Sequence, residues 1–374
     1  ELAYLYHVTT PGKKRTIVLT VTSDLVHDQR MIRICNSLTM CGYNVSLIGR
    51  VTRRSPPLKP MNFKQERINC VFQSGPLFYM AFTIRLFFKL FFTRADILVA
   101  CDLDTIIPNR FVATLRKKIL VFDSHEYFTE VPELQGRRLV KWCWELAGRL
   151  SVPKASACYT VSGLLAEELG GKYNKPFQVI RNLPVTSPEP VTASKPVTPV
   201  LIYQGNLNPG RGLEECILAL NHTNVRFTIA GDGPIKESLE KLVESRGLNQ
   251  RVIFTGKVPP ELLNKLTRDS GIGINILDRH SRSYYLSLAN KFFNYIHCGV
   301  PQVCSDFPEY RNINNRWEVA VLCDNNPVAI AEAVNRLIND PDLYLRLRQN
   351  CIEAAKYLSW QAEEKKLLEI FNGL

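Results

Sequence analysis

Two blocks of short apolar runs, each run followed by a helical pattern, limit the fold of this sequence more than any other feature. In the first block, residues 16–22 (TIVLTVT) predict a buried strand, and residues 28–41 predict a helix with apolar side chains at helical spacing. The alternation continues with strands near residues 97–100, 119–122, 158–161 and 177–180. Strands that are separated by helices pair in parallel, so the block predicts βαβ units.

The composition changes between residues 184 and 199. This segment (PVTSPEPVTASKPVTP) holds five prolines and predicts an extended linker. The alternation of strands and helices resumes at Val200. We therefore predict an α/β fold with mostly parallel sheets, in which residues 1–183 and 200–357 form two domains, 184–199 a linker and 358–374 a C-terminal segment. Ligands are expected in the cleft between the domains, at the carboxyl ends of the strands.

Charge and cysteine usage narrow the class of protein. The 374 residues include 47 Lys and Arg against 35 Asp and Glu, a net charge of +12 that favours a polyanionic neighbour. Eleven cysteines without a CxxC pair argue against a zinc ribbon or a secreted disulfide framework and fit a reducing, cytoplasmic compartment. No run of 18 uncharged apolar residues and no signal-peptide pattern occurs, so we expect no membrane-spanning helix.

Three glycine-containing segments follow predicted strands in the second block. Residues 204–214 (QGNLNPGRGLE) place Arg211 at a helix start, where helix amides and a guanidinium favour phosphate. The alternative is a plain turn with a solvated arginine. Residues 229–234 (IAGDGP) and 254–260 (FTGKVPP) are weaker signals individually, but all three lie at the same edge of one predicted sheet.

Residues 286–302 (LSLANKFFNYIHCGVPQ) place a loop and a helix start beside Lys291. Free backbone amides near Ala289 and Asn290, together with a cation, are what a departing pyrophosphate requires. For Lys291 alone, a solvated surface lysine is the competing interpretation.

In the first block, residues 121–126 (VFDSHE) place Asp123, His125 and Glu126 just past a strand end, where binding side chains occur in open α/β sheets. The alternative is a helix-capping Asp beside a surface His. Residues 23–30 (SDLVHDQR), which include Asp28, form a second acidic segment of this kind. Two further carboxylates, at positions 102 and 104, are a weaker case.

The second block resembles the retaining glycosyltransferases of family four, whose GT-B architecture has two facing Rossmann-like domains. The matching segments are YQGNLNPGRGLEE, IAGDGP, FTGKVPPELL and LANKFFNYIHCGVPQVCSDFPEY. DQRMIRICNSLTMCGYNVSLIGR and FDSHE resemble the N-terminal signatures of that family, and LSWQAEEKKLLEIF resembles its closing helix, which crosses back to the first domain. The resemblance covers nearly the whole chain.

The resemblance implies transfer of a sugar from a nucleotide donor, UDP- or GDP-linked, to an acceptor, with retention of configuration and without a metal or other cofactor. His125, Arg211 and Lys291 become the catalytic candidates, with His125 directed at the donor sugar. Asp28, Asp123 and Glu126 become the acceptor-binding candidates. The donor-binding candidates are Gly205, Asn206, Gly231, Asp232, Gly256, Val258, Ala289, Asn290 and Asn294.

One position departs from the family pattern. Family members usually keep two glutamates eight positions apart, the second of which binds ribose, and here the two positions hold Leu286 and Asn294. An amide at Asn294 accepts a hydrogen bond from ribose without the charge that strengthens it. A non-catalytic GT-B-like binding protein therefore remains an alternative, as does a nucleotide-sugar 2-epimerase on the same scaffold. A nucleic-acid-binding protein would explain only the charge.

Residues 77–92, from Leu77 to Phe92 (LFYMAFTIRLFFKLFF), are too apolar for an ordinary surface helix. Arg85 and Lys89 lie four residues apart, as in a basic amphipathic helix at a membrane interface. The alternative is a core helix with two cations at its rim. We favour peripheral contact with an anionic membrane at its cytoplasmic face, and hence an acceptor that is a sugar or is carried on a lipid, in polysaccharide or other glycoconjugate synthesis.

Overall fold

The computed structural model describes residues 14–26, 28–53, 55–186 and 200–374. Residue contacts divide the chain into two units. The first unit comprises the chain up to Thr129, Leu134–Arg181 and Glu363–Leu374, and the second comprises Glu130–Glu133 and Asn182–Ala362. Most of the predicted linker, residues 187–199, lies outside the described residues.

The first unit is built on a seven-stranded parallel sheet in the order β3-β2-β1-β4-β5-β6-β7. Its strands and helices are β1 (Thr16–Thr20), α1 (Gln29–Met40), β2 (Asn44–Val51), β3 (Lys64–Asn69), α2 (Gly75–Phe92), β4 (Ile97–Cys101), α3 (Leu103–Leu115), β5 (Ile119–Ser124), α4 (Arg138–Ser151), β6 (Ala157–Thr160), α5 (Gly163–Tyr173) and β7 (Gln178–Val179).

The second unit is built on a six-stranded parallel sheet in the order β10-β9-β8-β11-β12-β13. Its elements are β8 (Val200–Gln204), α6 (Leu213–Ala219), β9 (Arg226–Ala230), α7 (Lys236–Ser245), β10 (Val252–Gly256), α8 (Pro260–Asp269), β11 (Ile272–Asn275), α9 (Arg282–Leu286), α10 (Asn290–His297), β12 (Gln302–Ser305), α11 (Pro308–Trp317), β13 (Ala320–Cys323), α12 (Pro327–Asn339) and α13 (Pro341–Tyr357).

Both sheets confirm the predicted α/β class. The central strands of each sheet are buried along almost their whole length because helices cover both faces of a parallel sheet. In each unit the strand order reverses between the first and the fourth strand, β1 and β4 or β8 and β11. Such a reversal opens a crevice at the carboxyl ends of the two strands, and ligands of open α/β sheets bind there.

The last helix, α14 (Trp360–Asn372), brings the end of the chain to the first unit. The Phe371 ring packs edge-on against Tyr43, with 6.5 Å between the ring centroids. The buried Glu363 carboxylate accepts a hydrogen bond from the Arg181 amide at 2.9 Å. This position agrees with the expected helix that crosses back to the first domain.

Helix α2 combines the two interpretations that its sequence allowed. Phe78, Phe82, Leu86 and Leu90 repeat every fourth residue and are buried, and each contributes roughly 2 kcal/mol of hydrophobic stabilisation. The cations do not mark a membrane-facing side: Arg85 donates to the Asn69 carbonyl, and Lys89 pairs with Glu66, both on β3. Of the helices in the described ranges, α2 is the one that is long and apolar enough to cross a membrane, a criterion that core helices also meet.

We expect Gly231→Ala to destabilise the second unit. A Cβ at this position, directly after β9, would lie 1.8 Å from the Gly205 carbonyl oxygen, and backbone cannot yield as a flexible side chain does. The free energy of unfolding in urea should fall by roughly 1–3 kcal/mol. Gly171→Ala on α5 is the control, since nothing lies within 4 Å of its Cβ, and it should be neutral or stabilising. Equal losses in the two variants would contradict the close approach of these loops.

Candidate functional site

The three glycine-containing segments of the second block end on neighbouring strands. Strands β8, β9 and β10 are adjacent and parallel, so Gly205, Gly231 and Gly256 lie at the same edge of the sheet. Gly256 ends the outermost strand with a positive φ of 68°, and the space where its Cβ would be is open. The Gly256–Val258 backbone is therefore accessible at this edge, as a contact with a nucleobase requires.

The β8–α6 loop, residues 205–212, lies at the crevice between β8 and β11. Gly205 and Gly212 have φ values of 133° and 60°, which only glycine adopts readily. A Cβ at Gly212 would lie 2.4 Å from Ile276, the residue that follows β11. The Tyr203 hydroxyl donates to the Asn206 carbonyl at 2.7 Å. This backbone geometry holds the loop against the end of β11.

Residues 231–233 support the β8–α6 loop from the other side. The Gly205 amide donates to the Ala230 carbonyl and the Leu207 amide to the Asp232 carbonyl, each at 3.0 Å. The Asp232 side chain is exposed and accepts a hydrogen bond from the Gly233 amide at 2.9 Å. Gly231 and Asp232 thus shape the loop through their backbone, and direct contact of either with a donor stays a prediction.

Lys291 is buried at the start of α10, and not solvated as the competing interpretation required. Its side chain is 6% exposed, and its Nζ lies 3.6 Å from the centroid of the Tyr203 ring. Among the residues that the structure describes, no group accepts a hydrogen bond from this Nζ. Burial, and then the neighbouring charge of Arg211, hold the pKa of Lys291 well below its usual range. A buried amine without a partner is costly, so the site is suited to an anion that the protein itself does not supply.

Arg211 lies in the β8–α6 loop with its guanidinium 4.5 Å from the centroid of the Tyr284 ring. The side chain is half-buried, and its Nε has no hydrogen-bond partner in the described part of the chain. Arg211 and Lys291 therefore bring two cationic groups with unused donors to one loop. The Tyr284 and Tyr203 rings contact Arg211 and Lys291, and an anion can still approach the remaining N–H groups of the two basic side chains.

The start of α10 differs in part from the prediction of free amides. The Ala289 amide donates to the Tyr310 hydroxyl at 2.9 Å, so it is already used. The first helical residues, Asn290 and Lys291, begin a helix without a side-chain cap, and intrahelical bonds do not use their amides. The Asn290 side-chain oxygen accepts from Asn182 at 2.8 Å. Asn294, one turn along the helix, is half-exposed.

His125 follows β5 in the first unit and lies between two carboxylates. Its Nε2 donates to Asp123 Oδ2 at 3.0 Å, and its Nδ1 lies 3.8 Å from Asp102 Oδ2. Burial by itself would lower the pKa of His125, but the charges of Asp123 and Asp102 outweigh burial and raise the pKa to about 9. The imidazole is therefore doubly protonated at neutral pH and acts as a hydrogen-bond donor.

Asp123 does not have the exposure that an acceptor-binding carboxylate needs. Its side chain is fully buried, and its second oxygen accepts from Arg30 Nη2 on α1 at 3.0 Å. Arg30 also donates to the Ile180 carbonyl at 2.9 Å, which links α1 to the end of β7. Both carboxylate oxygens are therefore used to position His125 and Arg30, and a role of Asp123 in acceptor binding stays a prediction.

Asp28 likewise has a structural role. One carboxylate oxygen caps α1 by accepting from the Met31 amide at 3.1 Å, and the other accepts from the Ser23 hydroxyl at 2.6 Å. Both oxygens thus have partners within the protein, and contact of Asp28 with an acceptor stays a prediction. Glu126 lies beside His125 and is half-buried. Its contact with an acceptor stays a prediction.

Asp102 and Asp104, the weaker candidates of the sequence, take a central position at the crevice between β1 and β4. Asp102 directly follows β4 with a φ of 58°, a strained conformation for a residue with a side chain, and its Oδ1 accepts from the His125 amide at 2.9 Å. Burial raises the pKa of Asp104 to about 6, although a hydrogen bond from the Thr22 hydroxyl opposes the rise. The feature that marks Asp102 is its backbone strain at the end of a strand, and no pattern of residues in the sequence reveals such strain.

Cys101, Asp123 and His125 place their potential ligand atoms within 4.8 Å of one another. Their chemistry favours an ion-pair network over a metal site. Asp123 is already paired with Arg30, and burial raises the pKa of Cys101 well above its usual range, which disfavours the thiolate that a metal would need.

A family model described as glycosyl transferases group 1 matches residues 189–357, the segment that contains Arg211 and Lys291. Alpha-D-kanosaminyltransferase of Streptomyces kanamyceticus is 24% identical to the chain over 287 residues, which cover 68% of this chain and 70% of that relative. Chitobiosyldiphosphodolichol beta-mannosyltransferase of Candida albicans is 22% identical over 400 residues, with 94% and 87% covered.

Solved structures share the fold of the chain. Sucrose-phosphate synthase from Thermosynechococcus elongatus superimposes with a TM-score of 0.77 at 16% identity and covers 96% of this chain and 99% of its own. Anabaena HepE in complex with UDP and glucose has a TM-score of 0.73 at 15% identity, with 96% and 100% covered. At these identities the likeness concerns the fold, which is that of GT-B glycosyltransferases. The matched segment 189–357 and the fold together relate the chain to glycosyltransferases.

We expect Lys291→Met to stabilise the unliganded protein while it abolishes nucleotide binding. The apolar side chain removes a buried amine without a partner, so the free energy of unfolding should rise by roughly 1–3 kcal/mol. Because the pKa of Lys291 is lowered on folding, the stability of the native protein should increase as pH rises towards the usual lysine pKa, and the variant should lose this increase.

Urea unfolding between pH 7 and pH 10 measures both effects of this substitution. Lys241→Met is the control, because that side chain is 72% exposed and its loss should change stability by less than about 0.5 kcal/mol. A strong loss of stability in Lys291→Met would show that the amine has a partner within the protein, and would contradict the anion site.

We expect Asp102→Asn to lower the pKa of His125 from about 9, because the substitution removes one of the two carboxylates that raise it. The folded pKa lies above the ordinary value of 6.5, so protonated His125 contributes stability that is complete below about pH 6.5 and is lost as pH rises through about 9. Asp102→Asn should reduce this contribution.

NMR titration of the imidazole nitrogens measures the His125 pKa directly. His297 in the second unit is the internal control, since burial lowers its pKa and Asp102 is not among the groups that affect it. A His125 pKa that is the same in both proteins would rule out Asp102 as a cause of its protonation.

Proposed function

We propose that this glycosyltransferase moves a sugar from a UDP- or GDP-linked donor to an acceptor with retention of anomeric configuration. The observation that carries the proposal is the pair of cations at the β8–α6 loop. Within residues 14–26, 28–53, 55–186 and 200–374, the buried Nζ of Lys291 and the Nε of the neighbouring Arg211 have no hydrogen-bond partner. A diphosphate supplies several anionic oxygens that would accept from both residues.

The other donor contacts follow from the geometry of the second unit. The free amides of Asn290 and Lys291 at the start of α10 would bind the diphosphate or the sugar, with the helix dipole favouring negative charge. The Gly256–Val258 backbone, with open space at the Cβ position of Gly256, would bind the base. Asn294 would accept a hydrogen bond from ribose. The HepE complex with UDP and glucose supports a uridine donor, although the likeness itself concerns only the fold.

The proposed reaction breaks the bond between the anomeric carbon and the diphosphate oxygen. The electron pair leaves with the nucleoside diphosphate, and Lys291, Arg211 and the α10 amides stabilise the developing charge. The acceptor hydroxyl attacks from the same face through an oxocarbenium-like state, and its proton passes to the departing phosphate oxygen. His125 donates a hydrogen bond to the donor sugar. Since two side chains supply positive charge, we propose that no metal is required.

We further propose an acceptor that is a sugar or is carried on a lipid, at the cytoplasmic face of a membrane. The name of the Candida relative includes a diphosphodolichol, a lipid-linked acceptor. The net charge of +12 also suits an anionic membrane surface. Asn294 in place of the usual glutamate favours a second candidate, a GT-B-like protein that has lost the use of a donor.

Calorimetric titration with UDP, GDP and their sugars tests the donor site. One nucleotide should bind, and Arg211→Ala should weaken binding by about tenfold to a hundredfold, as expected for loss of a charged hydrogen bond. Arg226→Ala is the matched control, because Arg226 is exposed at the opposite, amino end of β9 and should not affect binding. Asn294→Glu should tighten binding if this position contacts ribose.

Failure of every nucleotide and nucleotide sugar to bind the folded native protein would overturn the proposed transfer and favour the non-catalytic alternative. Equal losses in Arg211→Ala and Arg226→Ala would mean that the nucleotide binds through general charge attraction and not at the β8–α6 loop.

A further inference from the structure

Helix α4 carries an apolar stripe on its solvent side, which no sequence motif had indicated. Leu139, Trp142, Leu146 and Leu150 recur at spacings of three and four residues and are 74%, 58%, 41% and 53% exposed. The buried side of the helix consists of small residues, Ala147, Gly148 and Ser151. An amphipathic helix of a globular domain normally packs its large apolar side chains inward, so this helix presents the opposite arrangement.

Helix α2 has a second exposed stripe directly opposite its buried one. Leu77, Met80, Ile84, Phe88 and Phe91 are between 37% and 57% exposed. At about 100° of rotation per residue, this stripe lies on the far side of the helix from the buried Phe78 and Leu86. No charged side chain lies within the stripe.

The two stripes belong to one surface, which we call the outer face. Helix α3 packs between α2 and α4 and adds the exposed Phe111 and Leu115. The Tyr79 and Trp144 rings join α2 to α4, with 5.2 Å between their centroids. Arg116, just after α3, donates to the Phe91 carbonyl near the end of α2 at 2.8 Å. The three helices hold twelve of the 21 large apolar side chains that are exposed in the described part of the chain.

The charge of the outer face matches an anionic surface. Helix α4 contains three basic residues, Arg138, Lys141 and Arg149, and one acidic residue, Glu145. Glu145 pairs with Lys172 at 3.6 Å. Arg138 and Arg149 are exposed and lie beside the apolar stripe of α4. Exposed apolar side chains flanked by cations are typical of helices that lie in a membrane interface.

We propose that the outer face of α2, α3 and α4 docks the protein on an anionic lipid bilayer, with the α4 stripe inserted at the level of the headgroups. The buried sides of α2 and α4 remain part of the first unit, so the helices lie on the membrane and do not span it. The inference deepens the proposed lipid-linked acceptor, and vesicle binding is measured without any donor. Docking of a second copy of the chain would bury the same residues and is an outcome of the test.

Flotation with lipid vesicles tests the proposal on the full chain. The vesicles are phosphatidylcholine with and without about 30% phosphatidylglycerol, roughly the anionic content of a charged leaflet. The native protein should float with the anionic vesicles. The triple variant Leu139→Ser, Trp142→Ser and Leu146→Ser should bind about tenfold or more weakly, because it removes apolar area from the interface. Arg138→Glu with Arg149→Glu should bind more weakly only at low salt.

The control is Leu262→Ser with Leu345→Ser, two side chains of the second unit that are 59% and 42% exposed, and it should bind as the native protein does. The fluorescence of Trp142 gives a second readout: anionic vesicles should shift the emission to shorter wavelength, and Trp142→Phe should lose the shift. All three side chains of the triple variant are exposed, so circular dichroism should show a native fold.

The proposal would be overturned if the native protein did not float with anionic vesicles, or if the triple variant floated as well as the control. It would also be overturned if the native protein were a dimer in solution that the triple variant converts to a monomer. UDP binding in the same variants separates this inference from the proposed function. Lost vesicle binding with unchanged UDP binding confirms the outer face alone, whereas absent UDP binding in every protein concerns only the donor site.

Discussion

Parallel pairing of β8 with both β9 and β11 is the constraint on which the donor-side site depends. Parallel strands end at the same edge, so the loops after β8, β9, β10 and β11 meet there. The closest approaches involve glycines: a Cβ at Gly231 would lie 1.8 Å from the Gly205 carbonyl oxygen, and one at Gly212 would lie 2.4 Å from the Ile276 side chain. Glycine at these positions lets the loops pack tightly and leaves the β8–α6 loop as a rigid support for Arg211.

Each unit keeps charge in its crevice, but the two units balance this charge differently. In the first unit Arg30, Asp123 and His125 pair with one another, and this network holds His125 protonated without a ligand. In the second unit Lys291 is buried over the Tyr203 ring, and no described residue accepts a hydrogen bond from its amine. A fold tolerates such a group when a bound ligand offsets the free-energy cost of burying it. The proposed anion site is therefore inferred from Lys291.

The outer face shows that burial, and not apolar composition, decides what a helix does. Residues 77–92 form a core helix on one side and an exposed apolar surface on the other. Arg85 and Lys89, which suggested a basic face, bond to β3 and lie away from the exposed stripe. The cations that flank exposed apolar side chains are on α4, whose pattern alone did not distinguish an inward from an outward apolar side.

The sequence by itself determined the α/β class, the positions of most strands and the glycine loops, because periodicity and turn chemistry are local properties. It did not predict β3, whose six residues KQERIN lack an apolar alternation and form an edge strand. Tertiary structure alone decided that Asp123 and Asp28 are internally bonded, that Asp102 is strained beside His125, and that Lys291 is buried without a partner in the part of the chain that the structure describes. These properties depend on which distant residues share one strand edge, and the burial and hydrogen bonding of a side chain are set only when those residues meet.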